Sequence, residues 1–160
     1  MKKWLLIGLF ILAGCSSSTV PVISQMNLDI VTDATTNPTS NSEANPVVVR
    51  VYQLTDKQLF NQTPFIDLYN NDTTSLASNV ISKQVLPIVL PNTSQTIVLD
   101  VNKNTLYLAV LVEFVDYQEA TTKAVVQLPQ DGSQYPKLSL SGTQATLELI
   151  AAPSSWWQIF

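Results

Sequence analysis

Eight apolar runs of five to ten residues, each closed by a turn signal, dominate this chain. They cover residues 22–31, 46–54, 81–90, 95–101, 106–115, 121–128, 138–142 and 144–151. Short strands recurring about every ten residues, with turns between them, predict an all-β sandwich. The densest run is Pro46-Val47-Val48-Val49-Arg50-Val51-Tyr52-Gln53-Leu54, whose β-branched content suits a pleated sheet. The run from Leu106 to Val115 (LYLAVLVEFV) is nearly all apolar and predicts a central strand buried on both faces. Pro87 interrupts the run 81–90 and marks an edge strand or a bulge. The strand rhythm breaks once, after Leu54. Thr55-Asp56 offers an N-cap for a helical turn at 57–60, and Pro64 stands at a first helical position before Phe65, Leu68 and Tyr69 on one face. A further turn is expected at 73–77. These segments predict a helical insert whose Phe65 and Tyr69, with Tyr52, pack into the core.

The residue inventory removes most chemistry. With 46% apolar residues the chain can build a core, and only 12% are charged. It has no His and one Cys. A His-based triad, a Cys/His zinc site and an intrachain disulfide are therefore excluded. A net charge of −4 without a basic stripe argues against a nucleic-acid partner. Asp116 and Glu119 are the nearest approach to a carboxylate pair, and they read as solvated turn residues rather than a hydrolytic pair. Arg50, the only Arg, lies between Val49 and Val51. It reads either as an outward residue pairing across the sheet or as one half of an interface ion pair. Trp156-Trp157-Gln158-Ile159-Phe160 either folds back on the sandwich or forms an apolar contact patch.

The N-terminus is an address. Lys2 and Lys3 precede an apolar run from Trp4 to Ala13, which is too short to cross a bilayer as a helix. Basic start, short apolar stretch and small residues form a secretory signal. It ends in Leu12-Ala13-Gly14-Cys15, which resembles the lipobox of bacterial lipoproteins. The resemblance implies removal of residues 1–14, acylation of Cys15, a polar tether over 15–21 and a folded domain over 22–160. Two or more acyl chains give a stable membrane hold where one does not. In such lipoproteins Asp after the acylated Cys commonly retains the protein at the inner membrane. Ser16 stands there, which implies the outer membrane, facing the periplasm.

Asn37-Pro38, a polar loop, Pro46 to Leu54, and then Phe60, Phe65, Leu68 and Tyr69 resemble the TssJ outer-membrane lipoproteins of the bacterial type VI secretion system. The lipobox agrees. Two positions depart from the family: Pro91-Asn92 stands where Pro-Gly is frequent, and Glu119 to Val125 where basic and Trp residues are frequent. The resemblance implies a transthyretin-like two-sheet β-sandwich with a short helical insert after the second strand. It implies no catalysis, no cofactor and no small-molecule substrate. It implies a partner, the periplasmic C-terminal domain of TssM, with TssL in the same complex. The contact is expected in the loop from about 32 to 45, at Asn37, Pro38, Thr39, Ser40, Asn41, Ser42 and Glu43. On this reading deletion of 34–43 spares stability, because loop closure entropy changes slowly with length. The alternative is a lipoprotein chaperone or pilotin, or an adhesion module, on the same scaffold.

Overall fold

The computed structural model describes residues 23–152 as two four-stranded sheets packed face to face. Sheet one holds β1 (Ile23–Thr32), β4 (Ser94–Asn102), β7 (Gln134–Ser141) and β8 (Gln144–Ala151), in the order β4-β1-β7-β8. Sheet two holds β2 (Val48–Leu54), β3 (Val80–Val85), β5 (Tyr107–Glu113) and β6 (Lys123–Gln127), in the order β3-β2-β5-β6. Neighbours run antiparallel except β1 and β7, which are parallel. Each strand overlaps one of the expected runs, but β7 begins at Gln134, four residues ahead of the run expected at 138–142. The run 81–90 is cut as Pro87 implies: β3 stops at Val85, and pairing with the chain ahead of β2 resumes only at a Val47–Val89 bridge.

Between β2 and β3 lie α1 (Gln58–Gln62), α2 (Phe65–Leu76) and a 3₁₀ turn at Ala77–Asn79. Pro64 is the N-cap of α2 rather than its first residue. The turn expected at 73–77 is the second segment of α2, set off from the first where Asn71 leaves helical geometry (φ −144°, ψ 43°).

Strand alternation builds two cores. Val49 and Val51 of β2, with Leu108, Val110 and Val112 of β5, meet Leu28, Ile30, Leu99, Leu138 and Leu140 between the sheets. Tyr52, Leu54, Ala109 and Leu111 point the other way, under Phe60, Leu68 and Leu76 of the helices. That second layer is why LYLAVLVEFV shows no polar alternation: β5 has no wet face. Burying one such Leu is worth about 2 kcal/mol. Tyr52 joins this core, but Phe65 is only partly buried and Tyr69 is 44% exposed. The space under Tyr69 belongs to Arg50, whose guanidinium lies 5.1 Å from the ring centroid. Gln53 ties the sheets together at one end. Its Nε2 donates to Asp100 O (2.7 Å), and its Oε1 accepts from the Asn102 N–H and the Thr105 hydroxyl.

The strand directions give the sandwich two distinct ends. β1 starts at one end, beside the end of β8 and the 128–133 connection. It finishes at the other, where the loop 33–46 meets the β3–β4, β5–β6 and β7–β8 connections. Cys15 and Trp156–Phe160 lie outside the described residues.

Candidate partner-binding site

The loop 33–46 is stapled at its base and free at its tip. Asp33 Oδ1 accepts from the Thr35 N–H (2.8 Å) and hydroxyl (2.7 Å). The Ser141 and Thr35 hydroxyls and the Thr35 N–H hold the Asp33 carboxyl down to about 2. The Thr36 hydroxyl, fully buried, donates to Leu140 O at 3.0 Å. Asn37 is turned inward and is 2% exposed. Its Nδ2 donates to Pro46 O, its Oδ1 accepts from the Val115 N–H, and its own N–H donates to Gly142 O, each at 2.8 Å. Its φ is +54°, a left-handed conformation that Asn tolerates better than most residues. Asn45 Nδ2 closes the base on Asn37 O and Glu43 O.

Of the seven expected contact residues, Asn37 therefore spends its side chain inside the loop, and Pro38 and Thr39 are half-buried. Ser40, Asn41, Ser42 and Glu43 form the exposed tip, closed by Thr39 N–H to Glu43 O and Ser42 N–H to Thr39 O. The stapled residues change the expectation for a deletion of 34–43, which removes Thr36 and Asn37 and their buried bonds along with the tip. Asn37→Ala is expected to cost about 2 kcal/mol, since it strands two bonded backbone groups. Asn37→Gly, which keeps the φ, should recover part of that loss. Equal melting temperatures for wild type and Asn37→Ala would show that the side-chain bonds carry nothing.

Exposed aliphatic residues adjoin the loop base. Val115 is 62% exposed, Ile88 64% and Leu90 53%. Leu90 is joined to the loop base: its carbonyl accepts from the Thr32 hydroxyl (2.7 Å), and the Asn92 N–H donates to Asp33 O. Asn92 has φ +54° in the Pro91-Asn92 turn. The departure from Pro-Gly is thus conservative in conformation, because Asn is the usual substitute where a turn needs positive φ. Asp116 and Glu119 stand exposed in the turn after β5.

A charged cluster locks the helical insert to sheet two. Asp72, on α2, is 5% exposed. Its carboxylate accepts from Tyr52 OH (2.8 Å), from Lys83 Nζ on both oxygens (2.9 Å) and from Arg50 Nη1 (3.4 Å). Arg50 Nε donates to Glu113 on β5 (2.6 Å), and its Nη1 to Tyr69 O (3.1 Å). Burial alone would raise the Asp72 pKa, but the bonds from Lys83 and Tyr52 outweigh it and hold the carboxyl at about 2. Burial, with Asp72 as acceptor, pushes the Tyr52 hydroxyl well up. Arg50 is thus an outward strand residue pairing across its own sheet to Glu113. Asp72, Lys83 and Glu113 carried no sequence signal of their own. Asp67 and Asp72 are both acids on α2, and only the pairing of Asp72 with Arg50 and Tyr52, two residues apart on one strand face, singles it out. Lys123 closes a second joint, with Nζ donating to the carbonyls of Phe60, Asn61 and Thr63 at the end of α1.

A sandwich with a stapled loop, exposed aliphatics beside the loop base and its buried charges spent on holding a helical cover is the scaffold of a binding protein. The chain belongs to the T6SS-SciN family (type VI secretion lipoprotein, VasD, EvfM, TssJ), whose model matches residues 24–149. Its members are structural lipoprotein components of the secretion system, not enzymes. The chain is 17% identical to the T6SS lipoprotein TssJ1 from Pseudomonas aeruginosa, over 82% of this chain and 100% of that one, with a TM-score of 0.75. It is 24% identical to a chain of a type VI membrane complex (81% and 99% covered, TM-score 0.67). It is 20% identical to a chain in a structure of the TssM C-terminal domain from EAEC (82% and 100% covered, TM-score 0.62). At these identities the likeness is one of fold. No curated protein matches it by sequence alone.

Proposed function

We propose that this chain ties a type VI secretion envelope complex to the outer membrane, acylated at Cys15 and binding the periplasmic C-terminal domain of TssM, which TssL joins in the same complex. Residues 1–14 are the cleaved signal, 15–21 the tether and 22–160 the folded domain. Ser16 after the acylated Cys favours the outer membrane. One observation carries the reading: the strand that follows the tether runs the length of the sandwich and ends at the stapled loop. Ten residues of β1 span about 30 Å, so a bilayer-held tether leaves the 40–43 tip turned toward the periplasm. The family membership, and the likeness to a chain in a TssM structure, support TssM as the partner.

The test is titration of the cognate TssM domain against wild type and against a chain lacking Ser40–Ser42. The deletion leaves the stapled base intact, and its effect on stability should stay within about 0.5 kcal/mol. Binding should weaken at least tenfold. Salt sensitivity should be mild, because Asp33 and Glu43 are the loop's only charges. An unchanged Kd would move the contact off the tip. Wild-type protein that fails to bind at any salt concentration would overturn the reading.

A further inference from the structure

Sheet two ends at β3, and no strand of the described residues lies beside its outer edge. The register decides which backbone groups that edge leaves free. The Leu86 N–H donates to Val49 O at 2.9 Å, and Arg50, Val51 and Tyr52 stand opposite Val85, Gln84 and Lys83. In an antiparallel ladder bonded pairs alternate, so Ser82 and Gln84 bond to β2 while the N–H and C=O of Lys83 and Val85 point outward.

Protein edges are usually guarded against pairing by charge, above all by Lys. The only charge on β3 is Lys83, and its ammonium is drawn onto Asp72 under the helical insert. After the neutral, exposed Gln84 come exposed aliphatic side chains: Val85 at 56%, Ile88 at 64% and Leu90 at 53%. This row leads into the loop base, where Leu90 O is bonded to Thr32. A free ladder asks for backbone partners, and an uncharged aliphatic row asks for apolar side chains. An extended polypeptide segment supplies both.

We propose that the outer edge of β3 takes up an extended, alternately apolar segment of the TssM domain as a fifth strand of sheet two, beside the loop tip. The proposal rests on the TssM reading above. Pro87 ends the ladder, so the added strand is short, with its main-chain bonds at Lys83 and Val85 and its side chains against Val85, Ile88 and Leu90.

The experiment uses the mature chain and the cognate TssM domain, with amide exchange followed by NMR and affinity by titration. In the complex, the Lys83 and Val85 amides should exchange at least tenfold more slowly than in the free chain. Val85→Pro removes an outward N–H without breaking a bond to β2, and Ile88→Lys sets a charge on the row. Each should raise Kd at least tenfold with the melting temperature unchanged. Val98→Lys, on the exposed edge strand β4 of the other sheet, should leave Kd as it is. If wild type binds while those two amides exchange as fast as in the free chain, strand addition is wrong and the TssM reading stands. The same holds if Val98→Lys weakens binding as much as Ile88→Lys. If wild type does not bind at all, both fall.

Discussion

Replacing Asp72 with Ala is expected to lower stability by about 3 kcal/mol, because it strips the common partner from a buried hydroxyl and two cations. The figure sits at the low end for a broken buried pair. The Lys83 side chain is 36% exposed and can turn to water, whereas Arg50 at 16% and the buried Tyr52 hydroxyl cannot do so as freely. In a domain this size the melting temperature should fall by roughly 10 °C. Asp72→Asn, which keeps an acceptor for Tyr52 but no charge, should fall between. A melting temperature unmoved by the Ala change would mean that the cluster does not hold the insert down.

The same carboxylate gives that stability a pH signature. Asp72 titrates at about 2 in the folded chain against an ordinary 3.8, so the folded state binds its proton more weakly than the unfolded state. Its contribution is complete above about pH 5 and disappears as pH falls toward 2. Asp33, also held at about 2, adds to the wild-type acid slope, so the comparison of interest is wild type against Asp72→Ala. The variant should show a shallower loss of stability over that window.

Cys15→Ser is expected to remove the protein from the membrane fraction altogether while leaving the sandwich folded. On the proposed reading the thiol carries the lipid, and two or more acyl chains separate a stable hold from a marginal one. The fold should survive because β1 starts at Ile23 and the two cores are built by residues of the described sandwich. The soluble variant should still bind the TssM domain in solution, yet fail to support secretion in the cell. Membrane fractionation that finds it still in the outer membrane would sink the lipid anchor, as would mass spectrometry showing an unmodified thiol in wild type.

The architecture was legible wherever its cause was local. Val47–Leu54 and Leu106–Val115 announce strands by their own side chains, Pro87 marks where β3 must stop, and Asp56 and Pro64 stand at the starts of α1 and α2, although the N-cap of α1 is Lys57 and Asp56 accepts from the Gln58 N–H. What stayed hidden was assembled at a distance. Asp72 meets Tyr52, Lys83 and Arg50 from three separate elements, and no spacing rule connects them. Asn37 looked like a loop residue free for contact because its bonds go to Pro46, Val115 and Gly142, the last two far along the chain. The parallel neighbours β1 and β7 lie more than a hundred residues apart in sequence, so strand patterns alone could not order sheet one.

The central position of β1 matters for a part pulled from both sides. Nine of its residues stand in register with β4 and four with β7. With the anchor and the partner contact placed as proposed, tension would run along this strand and load its ladders in shear, with many bonds sharing the force, rather than unzip them one at a time. A strand loaded that way is expected to carry the pull without unravelling from its tethered end.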